Sequence, residues 1–135
     1  MRNVGDLSWL NKYIGRPYRY GGRDLEGLDC YGLVALIYKD RYQLRLPDWL
    51  VDEIDIKGRS EQIGEVVCSG QFTEMAEPQD GDFAVCYRTK LAHHIGLFYG
   101  GGIIHCTDNL GVKYQPRHEF ERDYVRVVYG EWVPS

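Results

Sequence analysis

Five short stretches in the second half of the chain restrict its fold more than any other feature: DFAVCYR (82–88), HHIGLFYG (93–100), GIIHCTD (102–108), GVKYQP (111–116) and YVRVVYG (124–130). Each is rich in Val, Ile, Tyr and Phe, and Gly, Asp or Pro separates it from the next, which is the signature of strands joined by tight turns. The first half reads differently. After Cys30 the apolar residues Leu33, Val34 and Ile37 recur at helical spacing, and Asp29 stands where an N-cap belongs. A helix is therefore expected from Cys30 to about Tyr42, before LRLPDW (44–49) breaks it. Helices first and an antiparallel sheet afterwards define an α+β chain, with the helices packed on the sheet.

The remaining segments fill in around that frame. DLSWLNKYIG (6–15) reads as a short helix capped by Asp6 or Ser8, with Leu7, Leu10 and Ile14 on one face and Gly15 at its end. RPYRYGGRDLEGLD (16–29) reads as a structured loop, RSEQIGEVVCSG (59–70) as holding a weaker second helix, and DEIDIKGRSEQ (52–62) as solvated surface. With no repeat or linker in 135 residues, residues 1–135 are expected to form a single domain. At 44% hydrophobic residues the chain can bury a core without a metal or disulfide staple.

The net charge of −4 gives no reason to expect nucleic acid or an anionic membrane as partner. MRNVGDLSWLNKYIG lacks the apolar segment of an export signal, and no apolar run reaches bilayer length, so synthesis and folding in a cytoplasm are expected. Cys30, Cys68, Cys86 and Cys106 form no C-x-x-C pair and read as free thiols in a reducing compartment.

Cys30 at the first turn of a helix has a chemical consequence. The unpaired N–H groups and the positive end of the helix dipole favour thiolate over thiol. Residues alone leave several roles open, because a buried free cysteine is also a common core residue. The glycine cluster in AHHIGLFYGGGIIHCTD (92–108) reads as a hairpin turn. A Tyr99-Gly100 turn would set His94 opposite His105, and a Gly100-Gly101 turn would make them diagonal neighbours on one face. His93 should point the other way by alternation, and Gly96 leaves room on the His94 face for a substrate or for the cysteine helix. Two imidazoles facing a thiolate suit nucleophilic catalysis, one moving the proton and the other orienting it. Zinc is the competing use of such histidines. Cys106, next to His105 on a strand, points to the opposite face, and Cys86 would need a coincidence of sheet order.

The ordered motifs RPYRYGG, LDCYGLV, PQDGDFAVCYR, HHIGLFYG and GIIHC resemble the NlpC-type cell-wall cysteine peptidases, along the chain from about Gly15 to His105. The resemblance implies a papain-like fold with Cys30 as nucleophile, His94 as general base and acid, His105 as orienting third member, and no cofactor or metal. It also implies that Tyr18 helps the Cys30 N–H stabilise an oxyanion, and that Asp29 anchors a substrate amine. Tyr31 replaces the serine that contacts substrate in many members, which bears on the usual γ-D-glutamyl-diaminopimelate preference. D-C-Y-G-L-V followed by an L-P segment is similar to the tailed-phage branch. That branch implies a virion-tail peptidase cutting the peptide stems of peptidoglycan at the host wall, with phage tail proteins as partners. An amidase, an acyltransferase or a tail-assembly protein acting on a non-wall substrate is the alternative on the same scaffold.

Overall fold

The structure, a computed structural model, describes residues 6–46, 72–90 and 92–133. The helix expected in 59–70, the surface segment 52–62 and Cys68 lie outside the described residues.

A 3₁₀ helix, Ser8–Lys12, leads into a two-stranded hairpin of β1 (Arg23–Asp24) and β2 (Gly27–Leu28), and then into α1 (Cys30–Tyr42). Next come β3 (Phe72–Glu74), β4 (Phe83–Tyr87), β5 (Ala92–Tyr99), β6 (Gly102–Thr107) and β7 (Gly111–Pro116). A five-residue helix, α2 (Arg117–Glu121), separates β7 from β8 (Arg126–Trp132). The six strands β3 to β8 make one antiparallel sheet in the order β3-β8-β4-β5-β6-β7.

Two expectations change at the N-terminus. The first element is 3₁₀ rather than α, and it buries Leu10 and Tyr13 while Ile14 is exposed. Its start is held by Asp6, whose carboxylate accepts from both the backbone N–H and the hydroxyl of Ser8. The loop 16–29 contains the β1–β2 hairpin. β3 and α2 were not foreseen, being too short to show a period.

Strand alternation divides the core. Phe83, Val85, Ile95, Leu97, Tyr99 and Ile104 pack with Leu33, Val34 and Ile37 of α1. Ala84, Cys86, Phe98 and Ile103 face the other way, onto Phe120 of α2 and Tyr129. Fully burying each of these aliphatic side chains contributes about 1.5–3 kcal/mol, so the α1 stripe alone anchors the helix.

Glycines decide how the pieces meet at the start of α1. A Cβ on Gly32 would lie 2.0 Å from the carbonyl oxygen of Gly22, so the 16–22 loop can lie on the first turn only because position 32 has no side chain. Gly100 and Gly101, at φ +59° and +83°, supply the β5–β6 turn that L-residues resist.

Candidate active site

Asp29 caps α1, with Oδ1 accepting from the Gly32 N–H at 2.6 Å. The same oxygen accepts from the Arg23 guanidinium at 2.9 Å, and Oδ2 accepts from the Gly21 N–H at 3.1 Å. One carboxylate thus ties the loop, the β1–β2 hairpin and the helix start together, and fixes where Cys30 sits.

The β5–β6 turn is Gly100-Gly101, since Tyr99 pairs with Gly102. That register puts Gly96 opposite His105 and leaves His94 diagonal to it on the same face. The rings meet edge to face, with His94 Nε2 2.8 Å from His105 Nδ1. Across the other edge of β5, Cys86 is the direct partner of His94. Phe120 packs edge-on against His105, with ring centroids 4.7 Å apart. Tyr124 stacks on His94, nearly parallel at 5.9 Å.

Cys30, Tyr18, His94 and His105 line one cleft of about 530 Å³, together with Arg88, Asp108, Asn109, Lys113, Asp123 and Tyr124. Of these, Arg88, the histidines, Asp108, Asn109 and Lys113 lie at or beside the end of β4, the start of β5, the end of β6 and the start of β7, which all gather at one end of the antiparallel sheet. There a thiol from the start of α1 and imidazoles packed toward α2 line one cavity.

Burial lowers the pKa of His105 to about 4, with the positive charge of Lys113 acting the same way; its bond to Gln115 and the charge of Asp123 oppose this. Burial drives the Cys86 thiol well above the ordinary range and that of Cys106 up to about 12. Cys30, Cys86 and Cys106 are all buried thiols, and the Cys106 thiol donates to the Leu28 carbonyl at 3.1 Å. Among the described cysteines, Cys30 alone combines a helix start with the cleft that holds the histidines.

Several expectations need correction. Tyr31, expected to touch substrate, is 1% exposed and packs in the core with its ring beneath the Arg23 guanidinium. One residue past Cys30 the helix has turned by about 100°, away from the cleft. Asp29 is not on the cleft wall, and its oxygens are taken up by the cap, the loop and Arg23. His93, expected to face away, lines the cleft. The reason is a β-bulge: Cys86 pairs with His94 but Tyr87 pairs with Ala92, so His93 is the extra residue and alternation fails there. Gly96 makes room for neither substrate nor helix. A Cβ there would meet Ile103 Cγ2, the Ile104 carbonyl oxygen and His105 Cβ at 2.8–3.0 Å.

Tyr124, Phe120 and Gln115 were missed. Tyr124, at the head of the stretch YVRVVYG, stands in the turn before β8 and not in the strand. A separate groove of about 590 Å³ along α1, lined by Leu36, Lys39, Leu44 and Leu46 among others, contains no histidine or cysteine. Among the described residues no cluster of three or more His, Cys, Asp or Glu side chains could hold a metal ion, and no helix is long and apolar enough to cross a membrane.

A model of the NlpC/P60 family matches residues 15–128. A Haemophilus influenzae protein named "Probable endopeptidase" is 27% identical over 107 residues, which is 77% of this chain and 58% of that protein. The bifunctional muramidase/DL-endopeptidase CwlT of Bacillus subtilis is 29% identical over 107 residues, 76% of this chain and 28% of that protein. The chain thus spans less than two thirds of the length of either relative. The crystal structure of the NlpC/p60 domain of peptidoglycan hydrolase SagA superposes with a TM-score of 0.60 at 21% identity, covering 93% of this chain and 92% of that one. That likeness establishes the papain-like α+β fold.

Proposed function

This chain belongs to the NlpC/P60 family, and on that premise we propose that it is a cysteine endopeptidase that hydrolyses amide bonds in the peptide stems of peptidoglycan. The observation that carries the reading is the cleft in which Cys30 shares a wall with a hydrogen-bonded pair of imidazoles. The names of the relatives, endopeptidase and peptidoglycan hydrolase, favour the same chemistry and substrate.

In the proposed reaction His94 takes the Cys30 proton and the sulfur attacks the scissile carbonyl carbon. The charge that develops on the carbonyl oxygen meets the Cys30 N–H and the Tyr18 hydroxyl. Donors so placed are worth about 2.7–4 kcal/mol each. The C–N bond breaks as His94 hands its proton to the leaving amine, giving a thioester. A water deprotonated by His94 then attacks the thioester, releasing the carboxylic acid and restoring the thiol. His105 holds the His94 ring through Nε2 throughout.

Two finer features belong to the same proposal. The bond cut is the γ-D-glutamyl-diaminopimelate type, and the enzyme works from a phage tail at the host wall, with tail proteins as neighbours. D-C-Y-G-L-V and the L-P segment after it are the sequence features that favour a tail setting. The alternative of an amidase or acyltransferase drew only in part on Tyr31, whose ring is buried.

The test is digestion of purified sacculi. The wild-type protein is expected to release new amino groups, and mass spectrometry should show stems cut at the bond after D-glutamate. Cys30→Ala should release none while keeping its circular dichroism spectrum. Equal release by the variant would overturn the reading.

A further inference from the structure

The hydrogen-bond chain continues past the imidazole pair. On the far side of His105, Nε2 lies 2.7 Å from Gln115 Oε1, and Gln115 Nε2 donates to Glu119 Oε1 at 2.9 Å. Gln115 is on β7, next to β6, and Glu119 is in α2, which begins right after β7. The two elements that frame His105 therefore also hold its partner.

The two ends of an amide are not equivalent, since its NH₂ only donates and its carbonyl only accepts. A carboxylate can only accept, so Glu119 turns the Gln115 NH₂ toward itself and the oxygen toward His105. His105 must then carry its proton on Nε2. In the neutral ring this leaves Nδ1 as an acceptor, so His94 donates from Nε2 and its own Nδ1 holds the lone pair. Without Gln115 the opposite tautomer of His105 becomes accessible. Its Nδ1–H would donate to His94 Nε2 and move the His94 proton onto Nδ1, the atom meant to receive the proton of Cys30.

We propose that Gln115, oriented by Glu119, is a positioning residue that sets the tautomers of both imidazoles and so presents a basic Nδ1 on His94 to the cleft. The charged and titratable groups around His105 are His94 from β5, Lys113 from β7 and Asp123 after α2, with Glu119 acting through the amide. Among the described residues the acceptor at Nε2 is the Gln115 oxygen. The tautomer part stands on geometry alone. The turnover part rests on the peptidase reading.

The experiment combines imidazole ¹⁵N NMR of histidine-labelled protein with kinetics on a soluble stem peptide. At pH 7 the wild-type protein should show His105 protonated at Nε2 and bare at Nδ1. Gln115→Leu should mix the two tautomers and lower kcat roughly 10- to 100-fold, with KM changed by no more than about twofold. The swap Gln115→Glu with Glu119→Gln keeps an acceptor facing His105 and a donor behind it. It should restore the Nε2–H form and bring kcat back to within about threefold of wild type. A wild-type His105 protonated at Nδ1 would overturn the proposal, as would a Gln115→Leu spectrum and kcat equal to wild type. If Gln115→Leu does not fold, the wild-type spectrum and the swap decide. Predicted spectra without any peptide cleavage would support the relay and count against the peptidase reading.

Discussion

His94 and His105 are joined ring to ring, Nε2 to Nδ1 at 2.8 Å, although they sit diagonally on their strands. The residue directly opposite His105 is Gly96. A Cβ there would lie 2.8–3.0 Å from Ile103 Cγ2, the Ile104 carbonyl oxygen and His105 Cβ. The pairing is thus a product of register: a two-glycine turn sets the offset, and a bare position opposite His105 lets β5 and β6 approach there without crowding His105 Cβ.

Gly96→Ala tests that dependence. Its Cβ would press on the Ile104 carbonyl oxygen, which cannot swing aside like the end of a flexible chain. Overpacking of this kind costs typically 1–3 kcal/mol, roughly. Urea unfolding should show a loss in that range, and stem-peptide turnover should fall more than the residual folded fraction explains. A variant with wild-type stability and turnover would mean that position 96 tolerates a side chain against β6.

Acid should destabilise the protein through His105. Its pKa falls from the ordinary 6.5 to about 4 in the folded chain, chiefly through burial. As the pH drops below about 6.5 the unfolded chain takes up a proton there first, which favours unfolding. The contribution is fully present above the unfolded value and is lost as the pH falls through the folded one. It amounts to about 3 kcal/mol at most. Unfolding free energies at pH 7 and pH 4.5 should differ less for His105→Gln than for wild type. An equal pH dependence in the two proteins would contradict the burial of a neutral ring.

Removing the carboxylate that joins loop, hairpin and helix should loosen the start of α1. Asp29→Ala loses the N-cap, for which about 0.5–2 kcal/mol is usual, together with the Arg23 ion pair. Asp29→Asn keeps an oxygen for the Gly32 N–H and should lose less. Thermal melts of the two variants give the order, and an Asp29→Asn loss as large as that of Asp29→Ala would place the stabilisation in the ion pair instead.

Tyr124 lies nearly parallel on the His94 ring, and burial raises the pKa of its hydroxyl. If its work is stacking, Tyr124→Phe should keep turnover within about threefold while Tyr124→Ala lowers it roughly tenfold or more. A loss in Tyr124→Phe equal to that in Tyr124→Ala would assign the work to the hydroxyl.

The legible parts of the molecule are those governed by local rules. Asp29 before the Leu33, Val34 and Ile37 stripe announced α1 with its cap, and alternation announced β4 to β8 with short boundary errors. The hairpin could be narrowed to a choice of turns because the side-chain period is two, and the positive φ of Gly100 and Gly101 settles which one forms. What escaped depends on departures from those rules. The bulge at His93 breaks alternation at one residue, and Tyr31 sits in the core because the helix rotates away from the cleft. Gln115 reads as an ordinary strand residue, and only the sheet order and the short helix after it reveal that it touches His105. The resemblance of motifs carried the candidate site further than spacing could, since no local pattern relates position 30 to position 94.

Every step of the proposed reaction runs through a covalent intermediate on Cys30. Rapid acid quench of the protein with a stem peptide, followed by intact-mass and fragment analysis, measures this directly. The predicted result is a transient adduct with the mass of the acyl half of the peptide, mapped to Cys30 and absent from His94→Ala. Turnover of the peptide with no adduct, or with an adduct on any other residue, would contradict it.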